Sequence, residues 1–335
     1  MNKSEKKAMK NDKLEKKFRK LKDLIIRHKK FFLIIHPNPD SDALGSSFAL
    51  QKYIESFPEK KTKIYCLNQP EKNLIELFSA KKKITTTPNI KNQDVIIILD
   101  RGDVFYKLKF DTKITKETST SPKIINIDHH PRTKIKEAIN IRDTKAAATS
   151  EIIFRFFKHI KFPLNQEIAQ FLLNGIYADT GGFRHSNTTP LTLEITGQLM
   201  QQGASISKVN RALFANKSLS TLKLWGIALD RVKINKKTGM AVSFITQRDL
   251  KKCGATPKDL DGLAEIINTI SDAKFSLVLT EQENNKVKAS LRSEKYKKID
   301  VSKIARLFKG GGHKLASGFE IEGRLKKTKR GWIVE

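Results

Sequence analysis

The amino-acid sequence predicts an α/β protein: a parallel sheet with helices on both faces, joined by a helical linker to a smaller α/β domain. Three observations carry this. Runs such as Phe31–Ile35, Val95–Leu99 and Lys123–Ile127 are short enough for strands and too continuously apolar for a sheet with one wet face. Helical patterns separate them, which is the alternation that parallel pairing requires. Each run also ends on a polar cluster, and sheets of this kind gather their ligands at the carboxyl ends of strands.

Taken in order, residues 1–30 read as a basic helical arm, expected to be peripheral. Leu14, Phe18, Leu21, Leu24 and Ile25 recur every three to four positions, and 13 Lys/Arg stand against 4 Asp/Glu. The first domain spans 31–215. Phe31–Ile35 is its first strand, followed by a helix from about Asp42, with Leu44, Phe48, Ala49 and Leu50 on one side. Lys63–Leu67, Val95–Leu99 and Lys123–Ile127 are further strands. Helices are expected at Ala146–His159, Asn165–Tyr177, Pro190–Gln202 and Ile206–Phe214. Residues 216–235 form a linker helix, and 236–335 a second domain. Its strands are Met240–Ile245, Phe275–Thr280 and Lys286–Arg292, and its helices lie near Lys258–Ile270 and Val301–Phe308.

Composition narrows the class. The 335 residues are 39% hydrophobic, enough for a packed core of about two domains. No apolar run approaches the ~18 residues of a membrane span, and residues 1–30 carry charge throughout, unlike a secretory signal. Two distant cysteines, Cys66 and Cys253, offer neither a disulfide framework nor a thiolate zinc pattern. A cytoplasmic protein is expected. Its 65 Lys+Arg against 35 Asp+Glu give a net charge of +30. That surplus favours polyanionic partners and equally fits a lysine-rich solvated surface.

The candidate chemistry sits at the strand ends. His36, Asp40 and Asp42 fall within seven residues in a turn stiffened by Pro37 and Pro39, although Asp42 could equally cap the helix that follows. Asp100 closes an aliphatic strand on the same rim. Asp128-His129-His130 closes another, where one imidazole can ligate and the other serve as acid or phosphate donor. Asp179 follows a helix and precedes Thr180-Gly181-Gly182; a glycine stop explains Gly181 and leaves the acid unexplained. About five Asp and two His suit hard or borderline cations such as Mn²⁺ or Mg²⁺. A carboxylate shared by two such ions ~3.5–4 Å apart would activate a hydroxide for in-line attack on phosphorus. In the second domain, Gly310-Gly311-Gly312-His313 could expose backbone N–H groups to phosphate. On the candidate strand 286–292, Lys288 and Arg292 share a face, and Arg292 could grip a terminal phosphate.

These five motifs, in this order, resemble the DHH–DHHA1 phosphoesterases over about residues 31–323, and within them the oligoribonuclease/pAp-phosphatase (NrnA-like) branch. The resemblance implies a DHH catalytic domain followed by a DHHA1 substrate-binding domain. It implies two divalent ions, foremost Mn²⁺, with Mg²⁺ or Co²⁺ as substitutes. One would be held by His36, Asp40 and Asp100, the other by Asp42, Asp100, His129 and Asp179. His130 would meet the scissile phosphate or leaving group with Asp128 in support. Lys288, Arg292, the three glycines and His313 would hold the far end of the substrate. The implied substrates are short single-stranded RNA or DNA, cut 3′→5′, and nucleotide bisphosphates such as 3′-phosphoadenosine 5′-phosphate (pAp). The implied partners include no membrane, and a homodimer is compatible. Cyclic-dinucleotide hydrolysis is the alternative within the class, and a non-catalytic nucleic-acid binder the alternative outside it. Two departures, Arg101 after Asp100 and Pro131-Arg132-Thr133 after the histidines, add cations near the expected site.

Overall fold

The structure, a computed structural model, describes residues 3–80, 83–88, 92–100, 122–131, 135–136, 138–215, 217–328 and 331–335. Arg101, Arg132 and Thr133 lie outside the described residues. Two compact units divide the chain, residues 1–216 and 217–335.

The first unit is built on a six-stranded sheet: β1 (Lys30–Ile34), β2 (Lys61–Tyr65), β3 (Ile84–Thr85), β4 (Val95–Leu99), β5 (Lys123–Asp128) and β6 (Ile139–Arg142). The order is β3-β2-β1-β4-β5-β6, and every pair is parallel. Both faces are buried, as the unbroken apolar runs require. Phe31, Leu33 and Ile35 point into the main core with Val95, Ile97 and Leu99. Phe32 and Ile34 join Ile96, Ile98, Tyr65 and Ile135 on the other side. Among the described residues, the helices pack on the main-core side.

Those helices are α1 (Lys3–Arg27), α2 (Ser41–Glu55), α3 (Lys72–Leu77), α4 (Thr149–His159), α5 (Gln166–Asp179), α6 (Pro190–Gln201) and α7 (Ile206–Asn210). α7 passes into a π turn, Arg211–Ala215, so the regular helix expected to Phe214 stops four residues earlier. The structure corrects the expectation of a peripheral arm. Leu14, Phe18, Leu21 and Ile25 of α1 are at most 7% exposed and belong to the main core. Burying each such side chain contributes ~1.5–3 kcal/mol, so the amphipathic stripe fastens the helix. The buried Lys60 ammonium completes the seat, donating to the Ile26 and His28 carbonyls (3.0 and 2.8 Å), where a cation suits a helix C-terminus.

The second unit opens with α8 (Leu219–Asp230), whose Leu224 and Ala228 enter its core. β7 (Lys233–Asn235), β8 (Met240–Ile245), α9 (Gln247–Cys253), α10 (Leu263–Asn268), β9 (Phe275–Gln282), β10 (Lys286–Arg292), α11 (Val301–Leu307), β11 (Gly311–Gly312) and β12 (Ala316–Glu322) follow. A mixed sheet runs β11-β12-β10-β9-β8-β7, with β8–β9 its parallel pair. A hairpin, β13 (Leu325–Thr328) and β14 (Gly331–Val334), ends the chain. The single helix expected over Lys258–Ile270 is broken, because Gly262 adopts φ +92° between a 3₁₀ turn and α10.

If α1 is part of the core, Phe18→Ala should lower unfolding stability by about 3–5 kcal/mol. The exposed Lys20→Ala should change it by less than ~0.5 kcal/mol. Urea unfolding of the two variants decides this, and equal midpoints would mean a detached helix.

Candidate active site

The strand order creates the site. From β1 the chain winds one way through β2 and β3, and from β4 the other way through β5 and β6. Connections leaving the carboxyl ends of β1 and β4 therefore diverge and open a crevice. The His36–Asp42 turn follows β1, Asp100 follows β4, and Asp128–His130 end β5.

Each group is fixed locally. Asp40, rather than Asp42, is the N-cap of α2: its Oδ1 accepts from the Asp42 and Ala43 amides, both at 3.0 Å. Asp42 is thereby freed for a different task. Its fully buried carboxylate accepts from the Thr149 amide (2.6 Å) and the Ser150 amide (2.8 Å) at the start of α4. The helix N-terminus supplies both donors and a favourable dipole. Thr149 also donates its hydroxyl to Asp100 Oδ1 at 3.1 Å. Asp100 is 2% exposed and sits at φ +49°, a conformation that costs a non-glycine residue ~1–3 kcal/mol and persists where surroundings impose it. The Cys66 thiol donates to the His36 carbonyl at 3.0 Å and bolsters the turn. Burial pushes that thiol up to about 11, so it stays protonated.

Among the described residues, three groups of side chains converge closely enough to hold a cation: His36, Asp40 and Asp100; Asp42, His129 and Asp179; Asp100, His129 and His130. His36 Nε2 lies 3.7 Å from Asp40 Oδ1 and 4.0 Å from Asp100 Oδ2. His129 Nε2 lies 3.1 Å from Asp179 Oδ2 and 3.6 Å from Asp100 Oδ1. Thus seven of the first-domain residues singled out by the sequence meet in these groups, with Asp100 and His129 each common to two, and Asp128 joins them through its contact with His130.

A divalent metal fits this donor set. The buried His129 Nε2 makes no well-aligned hydrogen bond, although two carboxylates stand beside it, which is the posture of co-ligands. The electrostatics agree. Burial, then the Asp179 charge, pushes Asp42 up to about 7. Burial, then Asp42 and its neighbours, raises Asp100 well above the usual carboxylate range. Burial opposes charge on His129, but Asp179 and Asp42 outweigh it and lift the ring to about 9. Crowded carboxylates in a low-dielectric site take up protons when no cation neutralises them. Burial likewise opposes charge on Asp128, yet its bonds with His130 hold its carboxyl below the ordinary value. His130 Nδ1 lies 2.8 Å from Asp128 Oδ1, so the ionised carboxylate accepts from the ring N–H and orients the ring.

Packing makes a further demand that the sequence reading missed. A Cβ on Gly175 of α5 would lie 2.2 Å from Ser150 Oγ and 2.6 Å from Asp42 Oδ1. A glycine in mid-helix was the available signal. Thr149 and Ser150 were also missed, since nothing local marks them as partners of an aspartate more than a hundred residues earlier.

In the second unit, Arg292 Nε donates to Glu265 Oε1 at 2.5 Å, and Nη1 to the Leu291 carbonyl. Arg292 pairs in register with Ala316, which places it at the sheet end where His313 precedes β12. Lys288 lies four residues away along β10, opposite Glu320. The glycine run is not an open loop. Gly310 N–H is taken by the Ala305 carbonyl, and Gly311–Gly312 pair with β12. A Cβ on Gly310 would sit 2.3 Å from the Gly318 oxygen, so packing demands this glycine.

Fold and site together define a metal-dependent phosphoesterase. The DHH family N-terminal domain matches residues 30–176 and the DHHA1 domain residues 231–330. The chain belongs to the DHH family. It is 30% identical over 305 residues to the bifunctional oligoribonuclease and PAP phosphatase NrnA of Bacillus subtilis, covering 90% of each chain. It is 32% identical over 298 residues to the uncharacterized protein MG371 of Mycoplasma genitalium, covering 88% of this chain and 87% of that protein. Among solved structures, an exopolyphosphatase-related protein of Bacteroides fragilis superposes with a TM-score of 0.83 at 26% identity, covering 92% and 91% of the two chains. Among the described residues, no helix is long and apolar enough to cross a membrane.

Two tests follow from this geometry. Gly175→Ala should weaken Mn²⁺ binding at least tenfold by displacing Asp42, measured by calorimetry, with the fold retained by circular dichroism. The pH dependence has a fixed sign. Asp42, Asp100 and His129 have folded pKa values above their unfolded ones, so the stability they contribute is present at low pH and lost as pH rises through the folded values. The metal-free melting temperature should therefore fall between about pH 4 and 9, and the stabilisation added by Mn²⁺ should grow over the same range. A flat response of both would contradict the assignment.

Proposed function

We propose that this phosphoesterase hydrolyses short single-stranded oligonucleotides in the 3′→5′ direction and removes phosphate from pAp, using two divalent ions, foremost Mn²⁺. The observation that carries the proposal is the convergence of His36, Asp40, Asp42, Asp100, His129 and Asp179 with Asp100 shared between groups. The similarity to a named oligoribonuclease and PAP phosphatase over nearly the full length supports the substrate class. The cytoplasmic setting read from the sequence belongs to the same proposal.

Bound cations would supply charge neutralisation at the phosphate and activation of water. The chain's own residues do the rest. The α4 N-terminus keeps Asp42 ionisable in a dry site, and Thr149 aims the Asp100 carboxylate. We assign the His130 ring, oriented by Asp128, to the scissile phosphate or the leaving oxygen. In the second unit, Glu265 holds the Arg292 guanidinium in a set orientation. We assign Arg292, with Lys288, His313 and the glycine segment, to the far end of the substrate. Binding energy gained there positions phosphorus for attack.

The test is turnover of a 5′-phosphorylated diadenylate, pAp and cyclic di-AMP, each with Mn²⁺ and with chelator. The proposal expects cleavage of the first two with Mn²⁺, none with chelator, and a loss of at least a thousandfold in Asp100→Asn. Preferred cleavage of cyclic di-AMP would select the cyclic-dinucleotide reading. Tight, salt-sensitive RNA binding without any turnover would overturn the enzyme.

A further inference from the structure

The second unit carries an aromatic side chain that no role above uses. Tyr296 is 74% exposed and lies in the 3₁₀ turn Lys295–Lys297, directly after β10. Arg292 ends that strand, and the Ser293 amide donates to the Leu315 carbonyl, which joins the turn to the segment between His313 and β12. Arg292, Tyr296, His313 and Lys314 are thus gathered at one end of one sheet. The Tyr296 ring also has an anchored cation beside it. The Lys297 ammonium lies 5.8 Å from the ring centroid and is anchored by the Asn268 backbone and side chain and by the Ile270 carbonyl. Phe308, another partly exposed ring of this unit, is already stacked on Phe319 at 4.3 Å between centroids.

We propose that Tyr296 is a stacking platform for one nucleobase of the substrate, beside the cations that meet its phosphates. This rests on the nucleotide-substrate reading above. A very short oligonucleotide carries too few phosphates for charge alone to hold it. An aromatic face adds affinity for any base, because every base has a π-face. The anchored Lys297 lies within cation–π reach of the ring and adds that contribution. The hydroxyl is not required, whereas the ring is.

The experiment uses the full-length Mn²⁺-loaded protein and its Tyr296→Ala and Tyr296→Phe variants. Substrates are the diadenylate and two analogues, each abasic at one position. Tyr296→Ala should raise KM for the diadenylate about tenfold or more with kcat within twofold and metal content unchanged. Tyr296→Phe should match the parent. On one abasic analogue the parent and Tyr296→Ala should have the same KM, since the stacked base is gone. Equilibrium binding of a fluorescent diadenylate in chelator provides a reading independent of turnover, and Tyr296→Ala should bind about tenfold more weakly. An active parent whose Tyr296→Ala variant keeps its KM and affinity overturns this inference alone. A parent that binds the diadenylate through Tyr296 but cuts no nucleotide overturns the functional reading alone. A parent that neither binds nor cuts overturns both.

Discussion

The fold buries several like charges close together at the carboxyl ends of one sheet's central strands. Asp42 and Asp100 are almost wholly inaccessible to water, and Asp40, Asp128 and Asp179 stand around them. Isolated carboxylates in such surroundings would be strongly disfavoured. The fold offsets this by aiming two amides of α4 at Asp42 and a hydroxyl at Asp100, and by setting three imidazoles among the acids. What these contacts leave uncompensated is expressed as raised proton affinity, which divalent cations would relieve.

That arrangement is only possible because of the strand order. A sheet that diverges at β1 and β4 delivers the His36–Asp42 turn, Asp100 and the β5 histidines to one rim without long loops. It also dictates the close seat of α2 on α5. Gly45 would clash with the Phe171 carbonyl if it carried a Cβ (2.3 Å), and Gly175 with Asp42 itself. The helix that carries Asp42 and the helix that ends on Asp179 therefore approach at glycine positions, and site geometry and core packing are one requirement. Asp100 keeps its φ of +49° on the same rim, where Thr149 bonds its carboxylate.

The legible part of the molecule was what lies in short stretches of chain. Strand-end motifs revealed His36, Asp40, Asp42, Asp100 and Asp128–His130, each close to an aliphatic run, and Asp179 stood out as an acid at a helix end before two glycines. Relationships over long separations were not legible. The Thr149 and Ser150 amides serve Asp42, and Glu265 serves Arg292, with no local pattern to announce either. The stripe on α1 was visible, but its burial depended on what it packs against, so an integral helix looked like an arm. The packing demand at Gly310 was not legible either, since the Gly318 carbonyl that sets it belongs to a later strand. Charge likewise gained meaning only with location. The chain carries a net charge of +30 while the centre in its first unit is itself acidic, so the surplus of cations suits attraction of a polyanion and the acidic centre its cleavage.

The central claim is that one buried carboxylate, Asp100, joins two cation sites. Titration of the metal-free protein with Mn²⁺, followed by calorimetry and electron paramagnetic resonance, addresses it most directly. A shared Asp100 carboxylate requires two ions per chain whose spectrum shows exchange coupling between them. Binding of a single ion, or of two magnetically isolated ions, would contradict it.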